Sequence, residues 1–138
     1  MVDVGGKPTT TRVARAEGFV DLQPSHEAAL GKLPKGDALV VAQIAGIQGG
    51  KRCSELIPLC HPIGLTHLDV SLRLDSGRIR IEAVARTEAQ TGVEMEAYTA
   101  VAVAGLTLID MLKGVDPDLE INGIRLLEKS GGKRDWRR

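Results

Sequence analysis

The chain has 138 residues, 43% of them apolar and only 2% aromatic, which is the length of one domain with an aliphatic core and excludes a disordered chain. Eighteen Lys and Arg balance eighteen Asp and Glu, so no broad positive field exists to capture nucleic acid or a membrane surface, and an anionic ligand needs a local cluster of cations. Met1-Val2-Asp3-Val4 is not an apolar leader, and no run of about 18 apolar residues predicts a membrane span. Cys53 and Cys60 lie seven apart, match no zinc spacing, and read as reduced thiols of a cytoplasmic protein.

Residues 1–11 are polar and turn-rich and are expected to be loosely held. Arg12 to Leu22 alternates weakly and predicts a strand. Pro24-Ser25 offers a helix start, with Ser25 as cap and the helix running through Leu30. Gly31, Pro34 and Gly36 break it and leave Lys32 and Lys35 in a turn. Asp37 can cap the next segment, whose short apolar runs fit a buried strand or a helix; the recurrence of Val40, Ile44 and Ile47 at helical spacing, and the absence of a turn dipeptide other than Gly49-Gly50 before Leu56, favour the helix. Gly46, Gly49 and Gly50 each cost that helix about 1 kcal/mol relative to alanine, which is tolerable where another helix packs closely. The same stretch fails as a phosphate loop, because Ala45 and Arg52 stand where glycine and Ser or Thr are required.

Leu65 to Leu74 and Arg78 to Arg86 alternate cleanly around Asp75-Ser76-Gly77 and predict a β-hairpin with one wet face. Thr91 and Glu94 have capping-box spacing. Met95 to Leu112 is almost uncharged and predicts a long, mostly buried helix, stopped by Gly114 and Pro117. Leu119 to Leu127 predicts the last strand, Lys129-Ser130-Gly131-Gly132 a loop, and residues 133–138 a basic, frayed tail. The order strand, helix, strand, strand, helix, strand is the split βαβ, ferredoxin-like α+β arrangement: a four-stranded antiparallel sheet with helices on one face.

Polar residues collect at the two ends of the stretch from Ile57 to Lys113, the hairpin and the long helix that follows it. His61, between Cys60 and Pro62 in a loop stiffened by Pro58, either presents its imidazole for binding or proton transfer or hydrogen-bonds backbone. Cys60, His61 and His67 make no coordination pattern, so no metal is expected. Glu94 and Glu96 stand about 200° apart on a regular helix; one caps or favours the helix start while the other projects. Asp110 and Lys113 share a helix face, either as an acid–base pair tuned by burial and charge or as a plain i,i+3 ion pair. Fourteen residues separate Glu96 from Asp110, about 21 Å of helix, so one small substrate reaches both only if a second subunit supplies one of them.

Ile57-Pro58-Leu59-Cys60-His61-Pro62, Thr91-Gly92-Val93-Glu94-Met95-Glu96-Ala97, the Asp110 and Lys113 pair, and Leu126-Leu127-Glu128-Lys129-Ser130-Gly131-Gly132 closely resemble the molybdenum cofactor biosynthesis protein C family, the cyclic pyranopterin monophosphate synthases. The likeness runs from Met1 to Lys133, with Tyr98 and Gly49-Gly50 standing where leucine and alanines are expected. It implies a ferredoxin-like fold assembled as a homohexamer, a trimer of dimers with sites between subunits, and no cofactor. It implies a GTP-derived substrate, (8S)-3′,8-cyclo-7,8-dihydroguanosine 5′-triphosphate, converted to cyclic pyranopterin monophosphate with release of diphosphate. By the same resemblance Asp110, Lys113 and Lys35 are the catalytic residues, and Leu59, Cys60, His61, Glu94, Met95, Glu96 and Lys129 contact the substrate.

Overall fold

The computed structural model describes residues 1–138. Its elements are β1 (Thr10–Asp21), α1 (Pro24–Ala29), α2 (Ala38–Lys51), α3 (Cys53–Leu56), β2 (Leu65–Asp75), β3 (Arg78–Ala89), α4 (Glu94–Leu112), β4 (Glu120–Ser130) and β5 (Trp136–Arg137). The sheet order is β2-β3-β1-β4-β5 with every pairing antiparallel, the ferredoxin-like order with one strand added at its edge. The expected four strands are present. The fifth comes from the tail expected to fray: Trp136 pairs with Lys129 and Arg137 with Glu128. β1 likewise starts two residues earlier than the alternation suggested.

The period-2 pattern dictates the layers. Ala14, Ala16 and Val20 of β1 and Ile79, Ile81, Ala83 and Ala85 of β3 are buried against α4 in one core. α4 meets the length and mean hydropathy, 1.4, of a membrane span that counting unbroken apolar residues did not find. It is here the covering helix of the sheet, with Ala97, Ala100, Val101, Ala104, Leu108 and Leu112 fully or almost fully buried. The glycines of α2 are tolerated because another helix does pack closely there. A Cβ on Gly46 would stand 2.9 Å from the Ala100 carbonyl oxygen, and one on Gly50 3.0 Å from that of Glu96. Small residues thus let α2 lie against α4 nearly backbone to backbone.

On the opposite face of the sheet Glu17, only 3% exposed, takes Arg80 from β3 and Arg125 from β4 at 2.7 and 2.6 Å. Arg78 stacks over Phe19 at 4.3 Å. Guanidinium groups therefore cover the face that no helix covers, burying apolar ring and stem while keeping charge in water.

Three local expectations change. Ser25 does not cap α1. Gln23 does, reciprocally with His26, because Pro24 has no N–H to satisfy and suits the first helical position. The helix expected to reach Leu56 breaks at Arg52, where α2 ends after Gly49-Gly50 and the short α3 begins. Thr91 caps nothing: Val93 precedes α4 without a side-chain cap, and the Glu94 carboxylate is engaged by Lys129 instead.

Bulges on β4 set which face its side chains take. Ala16 pairs with Leu126 but Arg15 with Glu128, so Leu127 is the extra residue. Paired residues share a face, and Ala14 and Ala16 face the helices. Leu126 and Lys129, three apart, therefore both point to the helix side, which regular alternation forbids.

Candidate active site

One locus forms at the N-terminal end of α4. Leu59, Cys60 and His61 come from the loop after α3, held by a turn in which the Cys60 amide donates to the Ile57 carbonyl at 3.1 Å. Glu94, Met95 and Tyr98 come from the first turns of α4, and Lys129 from the bulged β4. Together they line a cleft of about 520 Å³. Lys129 Nζ bonds Glu94 Oε1 at 3.0 Å. The Tyr98 hydroxyl accepts the Leu126 amide at 2.9 Å, fastening α4 to β4 beside the bulge. The His61 imidazole donates from Nε2 to the Val2 carbonyl at 2.8 Å, so it holds the N-terminal segment at the mouth of this cleft.

Beside the cleft lies a recess of about 300 Å³ lined by Lys7, Arg12, Lys129, Lys133 and Arg134, with Glu94 its single acid. Arg12 donates to the Gln90 carbonyl at 3.4 Å, while its Nε is buried without a partner. This is the local cation cluster that a neutral chain needs to hold a polyanion. Of these cations the family resemblance pointed to Lys129 alone, and nothing in the sequence pointed to Lys7, Arg12, Lys133 or Arg134. They are scattered over the chain and meet only when β1 pairs with β4, so no spacing signals them.

Glu96 does not line the cleft. It sits beneath it, 3% exposed, where the Cys60 thiol lies 3.8 Å from Oε1 and Oε2 has no partner. Burial raises its pKa, and the neighbouring Glu94 charge adds to the rise. Burial likewise raises the Cys60 thiol, and pushes the Cys53 thiol up to about 12. The two sulfurs are 3.8 Å apart, and Thr99 donates to Cys53 Sγ at 3.3 Å.

A second locus forms at the other end of α4. Asp110 takes Lys113 on Oδ1 at 2.7 Å and Lys35 on Oδ2 at 2.9 Å. Lys35 is delivered by the turn after α1, closed by the Gly36 amide on the Leu33 carbonyl, with Gly36 at φ 104°. These groups line a recess of about 380 Å³. The sequence suggested an Asp110 raised by burial and lowered by lysine. Here its side chain is 53% exposed, so only the lowering survives: the Lys113 hydrogen bond, then that of Lys35, holds it at about 2. It is ionised at neutral pH, flanked by two ammonium donors. α4 is continuous from Glu94 to Leu112, so within one chain about 21 Å separates the two loci.

A family model described as "MoaC family" matches residues 1–132. The chain is 53% identical over 137 residues to the cyclic pyranopterin monophosphate synthase of Roseiflexus sp. (strain RS-1), covering 96% of this chain and 87% of that protein. It is 53% identical over 135 residues to the enzyme of the same name from Deinococcus radiodurans, covering 96% and 80%. It is also 54% identical over 142 residues to molybdenum cofactor biosynthesis protein 1 of Drosophila melanogaster; there it matches all of this chain but spans only 25% of the longer protein.

Proposed function

We propose, because the chain belongs to the MoaC family, that it is a cyclic pyranopterin monophosphate synthase acting in molybdenum cofactor biosynthesis. It converts (8S)-3′,8-cyclo-7,8-dihydroguanosine 5′-triphosphate to cyclic pyranopterin monophosphate and releases diphosphate. The observation that carries the site assignment is the pairing of a polyanion recess with an organic-sized cleft through the shared residues Glu94 and Lys129. The triphosphate lies along Lys129 and the neighbouring cations, which neutralise it as point charges and meet the charge that develops as diphosphate leaves. The purine-derived ring lies in the cleft over Leu59, Cys60 and Met95, with His61 at its rim and the Glu94 carboxylate accepting ring N–H groups. Glu96 acts from below by supporting Cys60.

Ring opening and rearrangement need several proton transfers, which fall to Asp110, Lys113 and Lys35. Ionised Asp110 holds both ammonium groups at hydrogen-bond distance, so each lysine is oriented to give a proton and the carboxylate to receive one. The separation along α4 then requires the Asp110 locus of one subunit to close over the cleft of another. We read the enzyme as a homohexamer, a trimer of dimers, with each active site at a subunit interface, built from a single domain over 1–138 and working in the cytoplasm with its thiols reduced.

The test is incubation with the cyclic dihydro-GTP intermediate and assay of diphosphate and pterin. Turnover by the wild type, abolished in Asp110→Asn and Lys113→Ala with the oligomer preserved, is the expected result. Tight binding with no diphosphate released replaces the enzyme with a nucleotide-binding module.

A further inference from the structure

Cys53, Cys60 and Glu96 form a cluster in which the proposed chemistry uses only the cleft side of Cys60, with Glu96 beneath it, and gives Cys53 no part. Their ligand atoms all lie within 4.8 Å of one another, beneath the cleft, with Cys53 and Glu96 buried. Two sulfurs on one tetrahedral zinc at about 2.3 Å stand about 3.8 Å apart, and a sulfur and a carboxylate oxygen about 3.6 Å apart. The observed Cys53–Cys60 and Cys60–Glu96 separations are both 3.8 Å. A disulfide needs sulfurs at about 2.05 Å, so it requires the two cysteines to close up, whereas a shared cation fits their present 3.8 Å spacing.

Glu96 is the independent second observation. Its Oε2 is buried with no hydrogen-bond partner and its Oε1 meets only the Cys60 thiol at 3.8 Å, so either oxygen is free to take the cation that a buried carboxylate needs. Lys129, the ammonium of this locus, bonds Glu94 and not Glu96. Thr99 donates to Cys53 Sγ at 3.3 Å and so orients one sulfur as supporting residues orient metal ligands.

We propose that Cys53, Cys60 and Glu96 bind one soft, tetrahedral divalent cation of the zinc class, with the fourth position open toward the cleft that Cys60 lines. On binding, each thiol passes its proton to solvent and the cation takes two thiolates and the carboxylate. The seven-residue spacing of the cysteines hides this site from any linear motif, because the third ligand comes from another helix.

Cobalt is the probe. The full-length reduced protein, treated with chelator and kept under a phosphine reductant, is titrated with Co²⁺ and then Zn²⁺. We expect one equivalent per chain, tetrahedral visible bands, thiolate-to-cobalt charge transfer in the near ultraviolet, and displacement by zinc. Cys53→Ser, which alters no residue placed against the substrate, loses about half of the charge transfer and binds at least about 10-fold more weakly, the lower bound for disturbing even a supporting residue of a metal site. Absorption spectroscopy on the wild-type zinc form finds two sulfur neighbours at about 2.3 Å, so the assignment does not hang on the variant folding. No charge transfer in the wild type, fewer than two sulfur neighbours, or unchanged affinity in a folded Cys53→Ser each overturn the proposal. Diphosphate release by chelated protein is scored separately, so loss of this site and loss of the proposed activity are distinguishable.

Discussion

Two acids of opposite setting define the residue scale. Asp110 is exposed yet held at about 2 by Lys113 and Lys35. Lys113→Ala removes the larger of these influences. The Asp110 titration followed by carboxyl ¹³C NMR is therefore expected to move up toward the ordinary 3.8, and in wild type to move the same way with added salt. A midpoint that ignores both changes refutes the tuning. Glu17 is buried, which pushes its pKa up, but hydrogen bonds from Arg125 and then Arg80 outweigh this and leave it below the ordinary 4.5. A lowered folded pKa means stability that is present above the unfolded value and lost as pH falls through the folded one. Glu17→Gln is thus expected to cost about 2 kcal/mol at pH 7, between an exposed and a buried ion pair because both arginines are partly exposed. In urea melts the gap between wild type and variant narrows as pH falls below 4.5. A gap constant from pH 7 to pH 3 contradicts this account.

At the scale of elements, helix propensity and close packing compete, and packing wins. Alanine at Gly46 gains about 1 kcal/mol of helix propensity. Its methyl meets the Ala100 carbonyl at 2.9 Å, and backbone does not yield as a flexible side-chain end does. Overpacking of this kind costs about 1–3 kcal/mol, so Gly46→Ala is expected to be net destabilising by about 1 kcal/mol in chemical denaturation. A stabilised variant would mean that α2 and α4 separate easily. Strand β4 shows the same subordination of pattern to contact. Its bulge at Leu127 breaks alternation so that Lys129 turns toward Glu94, and Tyr98 accepts the Leu126 amide next to the bulge.

For the whole molecule, the length of α4 is the decisive quantity. The His61 and Glu94 locus lies at one end and the Asp110 locus at the other, so the proposed site, which uses both, needs two chains. Mixing inactive Asp110→Asn with inactive Glu94→Gln, after dissociation and reassembly, is expected to restore about a quarter of wild-type turnover. Half of the subunits supply a sound Asp110 and half a sound Glu94, independently, to each shared site. No recovery in mixed oligomers, or an active monomer in solution, removes the interfacial site.

The linear order of residues was enough to determine the ferredoxin-like order of elements, the hairpin at Ser76-Gly77, and the two polar ends of α4. All of these follow from periodicity, turn chemistry and helix rise, which are local quantities. The tertiary structure alone decided the rest. It placed Lys7, Arg12 and Lys133 in one recess, buried Glu96 beside two thiols, left Asp110 in solvent, and put Trp136 on the sheet edge. Those facts depend on contacts between residues far apart in the chain, and on one-residue bulges that reverse which face a side chain takes, and neither leaves a trace in local pattern.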